Sequence, residues 1–189
     1  MKLPHLLALA IAALPASAAL AAESYSVDPR HTFPSFEVSH LGFSIQRGRF
    51  DRTSGKITLD MAAKKGTADI AIETASISTG LDKLEAHLRG EDFFNVVRYP
   101  TITFKSDRFI FDGDKVKSVA GVLTMLGVTR PVTLEAMHFN CGDHPMNKKR
   151  MCGGDFVATV KRSEFGMNYA VPAVADEVTL RLQVEAYKD

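Results

Sequence analysis

Four side chains of this 189-residue chain could act on or hold a polar group: His40, His87, Asp92 and Arg162. Two imidazoles and a carboxylate are the raw material of a general acid–base hydrolase, provided the fold brings them together. The surrounding residues argue against it. Ser39 and His40 are neighbours on an extended stretch, so their side chains point to opposite faces and cannot form a nucleophile–base pair. The chain carries no nucleophile elbow, paired zinc–histidine motif or phosphate loop. Two readings therefore stay open for His40, His87 and Arg162. They contact the polar end of a ligand, or they are structural, with each histidine bonded to backbone and Arg162 paired with Asp92, Asp176 or Glu177. Asp92, just before Phe93, reads as a cap on a turn.

Cys141 and Cys152 are the only cysteines. In an oxidising compartment an even pair is read as a disulfide. Closing a loop of this size contributes about 3 kcal/mol in the chain-entropy treatment. His144, Met146 and Met151 between them are soft or borderline metal ligands. Lys148, Lys149 and Arg150 would repel a cation, so no metal site is expected there.

The elements that must position these groups begin after an export signal. Lys2, an apolar run over residues 6–14 and the small residues Ala19-Leu20-Ala21 form a secretory leader over residues 1–22, with cleavage expected near Ala21 or Ala22. The apolar run is too short to span a bilayer. Removing Lys2 from the 23 Lys and Arg leaves as many basic as acidic residues, 22 of each. A neutral mature chain lacks the basic footprint of a nucleic-acid-binding protein. Residues 23–189 have the size of one domain.

Alternating apolar residues predict strands over 25–28, 32–41, 43–50, 56–61, 67–74, 101–111, 115–126, from 132 to about 139, 155–162 and 176–187. A turn is expected around 51–55, and Asp112-Gly113-Asp114 is a hairpin signal. Residues 81–89 form the one convincing helix, with Leu81, Leu84 and Leu88 on a single face. It is too short to stand alone and must rest on something. Tyr99-Pro100 ends the irregular segment that follows. The strands over 101–111, 115–126 and 176–187 are long, and long strands in a small domain curl and close. A mainly β fold follows: an antiparallel barrel of about eight strands, with the short helix covering one mouth. The small residues Ala68, Gly121, Ala136, Ala158 and Ala186 either leave the interior open or make room for large neighbours.

Several blocks resemble those of the YceI-like proteins. The most distinctive runs from His87-Leu88-Arg89 through Asp92-Phe93-Phe94-Asn95-Val96 to Tyr99-Pro100 and Phe104-Lys105-Ser106. Three more match in order: residues 31–43, including Val38-Ser39-His40-Leu41-Gly42-Phe43; residues 121–132; and Arg162-Ser163-Glu164-Phe165-Gly166-Met167. The resemblance spans essentially the whole mature chain, and the segment between Cys141 and Cys152 lies between its blocks. It implies a lipocalin-like barrel, usually exported, that encloses a long polyisoprenoid chain. True lipocalins normally carry a tryptophan near the first strand, whereas this chain has none, so the likeness to them is architectural.

On that basis the expected function is that of a periplasmic lipid-binding protein. It would store or transport a polyprenyl lipid or an isoprenoid quinone, with no catalysis and no required cofactor. Its expected wall comprises Phe36, Val38, Ile70, Ile72, Ile102, Phe104, Leu123, Met125, Leu134, Phe156, Val160, Leu180 and Leu182. Leu84, Leu88, Phe93 and Phe94 are expected to cover the mouth with His87 near by. His40, His87 and Arg162 are the candidates for contact with a quinone carbonyl or a diphosphate. The competing readings are a hydrolase using His40 and His87 and a non-ligand-binding interaction protein with a filled core. An exposed strand could support a homodimer, and no delivery partner is legible.

Overall fold

The computed structural model describes residues 22–189. The expected leader and its cleavage point lie outside the described residues, apart from Ala22.

The strands are β1 (Glu23–Val27), β2 (Phe33–His40), β3 (Ser44–Phe50), β4 (Thr53–Asp60), β5 (Lys65–Glu73), β6 (Ile77–Ser78), β7 (Thr101–Asp112), β8 (Lys115–Met125), β9 (Val128–Asp143), β10 (Arg150–Lys161) and β11 (Val174–Lys188). All belong to one antiparallel sheet that closes when β1 pairs with β11. β1 and β2 run in succession along β11. β3 and β4 run in succession along them, and β5 and β6 along β4 and β3. Each of these three pairs is one strand with a break in it. The result is an eight-stranded up-and-down barrel, as expected.

The three breaks are aligned across neighbouring strands and crease the sheet. At the first, the Thr32 hydroxyl donates to the Glu185 carbonyl and accepts from the Glu185 amide (3.1 and 3.0 Å). The buried Asp28 carboxylate accepts from the Arg30 amide and guanidinium and pairs with His31. At the second and third, the Asp51 amide donates to the Ser76 carbonyl and the Arg52 amide to Ser76 Oγ, beside a short 3-10 turn over Thr74–Ser76. Backbone groups freed by the crease thus find partners near by, as buried amides and carbonyls must. The turn expected over residues 51–55 is confined to Asp51 and Arg52, because Thr53, Ser54 and Gly55 pair with β5.

Of the register shifts in the long strands, two decide which side chains face the core. In β7 the register slips after Lys105. There Ser106 Oγ donates to the Ala120 carbonyl (2.7 Å) and accepts from the Arg108 amide (3.0 Å). The parity read over 101–106 is thereby lost, and Phe109 and Phe111 pack against the core. In β9 a slip opposite Asp155 and Phe156 leaves Met137 exposed and Phe139 buried. Strand β10 starts at Arg150, five residues before the expected 155. Cys141 and Cys152 are therefore directly opposed partners on β9 and β10, joined as the expected disulfide. The bond crosslinks two strands instead of stapling a loop.

The start of β1, the end of β11 and the turns 61–64, 113–114 and 144–149 lie at one end of the barrel, called the lower end. It is packed solid by Tyr25, Leu59, Val116, Val119, Phe139 and Ala186. Burial and the hydrogen bond to Glu23 push the Tyr25 phenol up to about 12. Helix α1 (Asp82–Arg89) sits at the opposite, upper end. Leu81 is its N-cap, in extended geometry and 57% exposed, so it leaves the apolar face it was expected to share with Leu84 and Leu88. Glu85 holds the entry to the helix by accepting from the Thr79 and Gly80 amides, which lowers its pKa. Arg89 ties the last turn to the Ala75 and Ile77 carbonyls.

The crease gives a pH-dependent prediction. Burial alone would raise the Asp28 pKa, but the bonds from Arg30 and His31 outweigh it and bring it down to about 2. A depressed carboxylate stabilises the fold fully above its unfolded pKa of about 4 and loses that contribution as pH falls toward the folded value. Asp28→Asn should therefore lower stability at neutral pH by about 2 kcal/mol. It should also flatten the decline between about pH 4 and 2, both measured by urea unfolding across a pH series.

Candidate functional site

The upper half of the barrel encloses a cavity of about 550 Å³, within the usual range of ligand sites. Its wall is built by inward-facing residues of successive strands: Phe36 and Val38 on β2, Ile70 and Ile72 on β5, Ile102 and Phe104 on β7, Leu123 and Met125 on β8, Leu134 on β9, Val160 on β10, and Leu180 and Leu182 on β11. Leu84 and Leu88 of α1, with Phe93 and Phe94 of the following turn, complete the lining. Phe156 is the exception among the expected wall residues. It is half-buried against the core, with its ring over Gly154, and does not line the cavity.

An eight-stranded barrel holding this many large side chains could easily be full. Here aromatic rings lie along the wall because glycine stands beneath them. A Cβ on Gly48 would come within 2.5 Å of the Phe36 ring, its direct partner across β2 and β3. A Cβ on Gly121 would sit 2.6 Å from Phe104 and also strike the Lys105 carbonyl. The expectation that small inward residues leave room, or accommodate large ones, is met on both counts at Gly121. The ring fills the glycine's space and the lumen stays open.

The polar groups gather toward the upper end. His87, Phe93 and Tyr169 pack edge to face, with ring centroids 4.9 to 5.3 Å apart. His87 Nε2 also lies 3.2 Å from Asp92 Oδ2, so Asp92 orients an imidazole where a turn cap was expected. His40 is exposed at the end of β2 and touches the cavity. Arg162 also touches the cavity but is 4% exposed. It donates to the backbone carbonyls of Met167, Tyr169, Val174 and Ala175 at 2.8 to 3.3 Å. None of its expected carboxylate partners is used: Asp176 instead accepts from the amide and hydroxyl of Ser163. Burial lowers the Arg162 pKa, while the four carbonyls solvate the charge and hold the segment between β10 and β11 over the mouth.

That segment supplies lining residues that periodicity could not reveal, among them Met167, Tyr169 and Ala170. Phe50 and Thr53 flank the crease and also line the cavity. The Thr53 hydroxyl is buried without a hydrogen-bond partner. The arrangement is that of a hydrophobic container with polar groups near its opening, suited to enclosing an apolar chain.

The model of the YceI-like domain matches residues 25–186. A UPF0312 protein of Pseudomonas aeruginosa is 37% identical over 187 residues, covering 96% of this chain and 95% of its own length. Protein YceI of Escherichia coli is 37% identical over 186 residues, covering 95% of each chain. Among solved structures, Burkholderia cenocepacia BcnA aligns with a TM-score of 0.70 at 27% identity, over 84% of this chain and 98% of its own. A polyisoprenoid binding domain from Saccharophagus degradans, implicated in plant cell wall breakdown, shares the fold at a TM-score of 0.65 and 15% identity, over 88% of this chain and 99% of its own.

The glycine–ring contacts make separable predictions. Gly48→Ala meets chiefly side-chain atoms that can retreat into the lumen, so it should cost only about 1 kcal/mol while reducing uptake of an apolar fluorescent dye. Gly121→Ala meets backbone and should cost more, roughly 2–3 kcal/mol. Urea unfolding and dye titration of the two variants measure both effects.

Proposed function

The chain belongs to the YceI-like family, and on that premise we propose that it is an exported, periplasmic carrier that encloses an isoprenoid chain for storage or transport. The ligand class is a polyprenyl lipid or an isoprenoid quinone. The observation that carries this reading is the enclosed cavity, whose apolar lining comes from the barrel wall, α1 and the turn after it. Burying a methylene group contributes about 0.8 kcal/mol, so an isoprene unit contributes roughly 3 kcal/mol. A few units outweigh an association cost of about 4 to 15 kcal/mol. Such a ligand needs no specific polar contact along its chain, in keeping with the lining. The polyisoprenoid binding domain of the same fold supports the ligand class. The leader read over residues 1–22 and the Cys141–Cys152 bond support an oxidising compartment.

The chain contains no tryptophan, so one placed in the lumen is an unobstructed reporter. Delipidated Leu180→Trp protein titrated with a long polyprenol should show a saturable change in emission at one ligand per protein. A straight-chain alcohol of equal carbon number should bind more weakly. No response to the polyprenol, with the fold intact by circular dichroism, would refute the assignment.

A further inference from the structure

Nine large apolar residues are exposed among the described residues, and six of them gather at one end of the barrel. Phe43 (91% exposed), Leu41 and Ile45 cluster at the turn between β2 and β3; Leu81 precedes α1, Val97 (94% exposed) follows it, and Tyr169 lies between β10 and β11. The up-and-down topology puts all of these segments at the upper end, around the cavity. The lower turns present mostly charge, with Lys64, Asp114, Lys148 and Lys149 exposed around one large apolar residue, Met146, while Met137 and Val122 lie on strands β9 and β8. Tyr169 belongs both to the exposed rim and to the cavity lining, so apolar surface continues from the outside of the molecule into the lumen.

The tips are also held in place. The Leu41 amide donates to the Ala173 carbonyl at 2.9 Å, and Leu41 and Gly42 take left-handed conformations that turn the chain just before Phe43. The amides of Arg98 and Tyr99 both donate to the Asn95 carbonyl, at 3.0 and 2.9 Å, which fixes the turn carrying Val97. A soluble protein gains nothing from presenting large apolar side chains on ordered tips unless something covers them.

We propose that this rim docks onto the surface of a lipid bilayer, seating the cavity mouth against the layer from which an apolar chain is loaded or into which it is released. This rests on the carrier reading above. Separate protruding tips around an opening suit a deformable acyl layer, which needs no matching shape. Basic residues on these segments, Lys83, Arg98 and Lys161, are interspersed with Asp82, Glu91 and Glu164. The rim therefore relies on apolar insertion, without attraction to anionic headgroups, and its binding should be insensitive to salt.

The test is flotation of the full mature protein with phosphatidylcholine vesicles, with and without high salt. Wild-type protein should float with the vesicles in both conditions. F43S combined with V97S should reduce partitioning at least tenfold, whereas V122S, on the outer wall of β8, should leave it unchanged. Polyprenol uptake from detergent, read separately, should be the same for wild type and the double variant. The proposal is overturned if wild-type protein does not float. It is equally overturned if the double variant floats as well as wild type, or if the rim substitutions only dissociate a dimer seen by light scattering. Failure of polyprenol uptake with rim-dependent flotation intact would defeat the carrier reading and leave the docking surface standing.

Discussion

Closure of the sheet is the constraint on which the rest of the molecule depends. The pairing of β1 with β11 joins Tyr25 to Lys188 and Val27 to Ala186, linking the first described strand to the last. Without it the barrel would have two free edges, each offering unpaired backbone groups to solvent or to another chain. Around the closed circuit neighbouring strands satisfy one another's backbone, so the lumen can be lined mainly by apolar side chains. An apolar space bounded this way has little to offer water and much to offer a hydrocarbon.

Closure alone would not make a container. The lower half shows what the barrel becomes when large side chains point straight inward: Tyr25, Leu59, Val116 and Phe139 fill it. The upper half differs in two respects. Glycine beneath Phe36 and Phe104 lets these rings lie against the wall, and a crease through three neighbouring strands adds Phe50 and Thr53 to the lining. The cover over the mouth is fixed mainly by bonds to backbone, with Arg89 anchoring α1 and Arg162 anchoring the segment before β11. A cover built this way positions its apolar residues while the Arg162 charge, which borders the cavity, is satisfied by backbone carbonyls.

Much of this was legible because alternation with a period of two reports burial directly. Ile70 and Ile72, Val160, and Leu180 and Leu182 face the lumen as their alternation predicts. Alternation fails where a single residue is inserted. The bulge at Ser106 turns Phe109 and Phe111 inward, and the slip in β9 exposes Met137. The crease was hidden because Thr53, Ser54 and Gly55 have the composition of a turn, although tertiary pairing with β5 makes them strand. Tyr169 and Met167 were invisible as site residues because they lie outside any periodic element. Arg162 was recognisable as important, but a buried guanidinium is as well satisfied by carbonyls as by carboxylates, and only the fold distinguishes the two.

The central claim is that the upper cavity is a container for an isoprenoid chain. The most direct measurement is native mass spectrometry of the protein isolated without detergent from an exporting host, followed by extraction and identification of whatever it retains. The account predicts one polyprenyl lipid or isoprenoid quinone per protein, lost from variants whose lumen is blocked. Protein that emerges with the mass of the bare chain, and stays bare when offered such lipids, would contradict it.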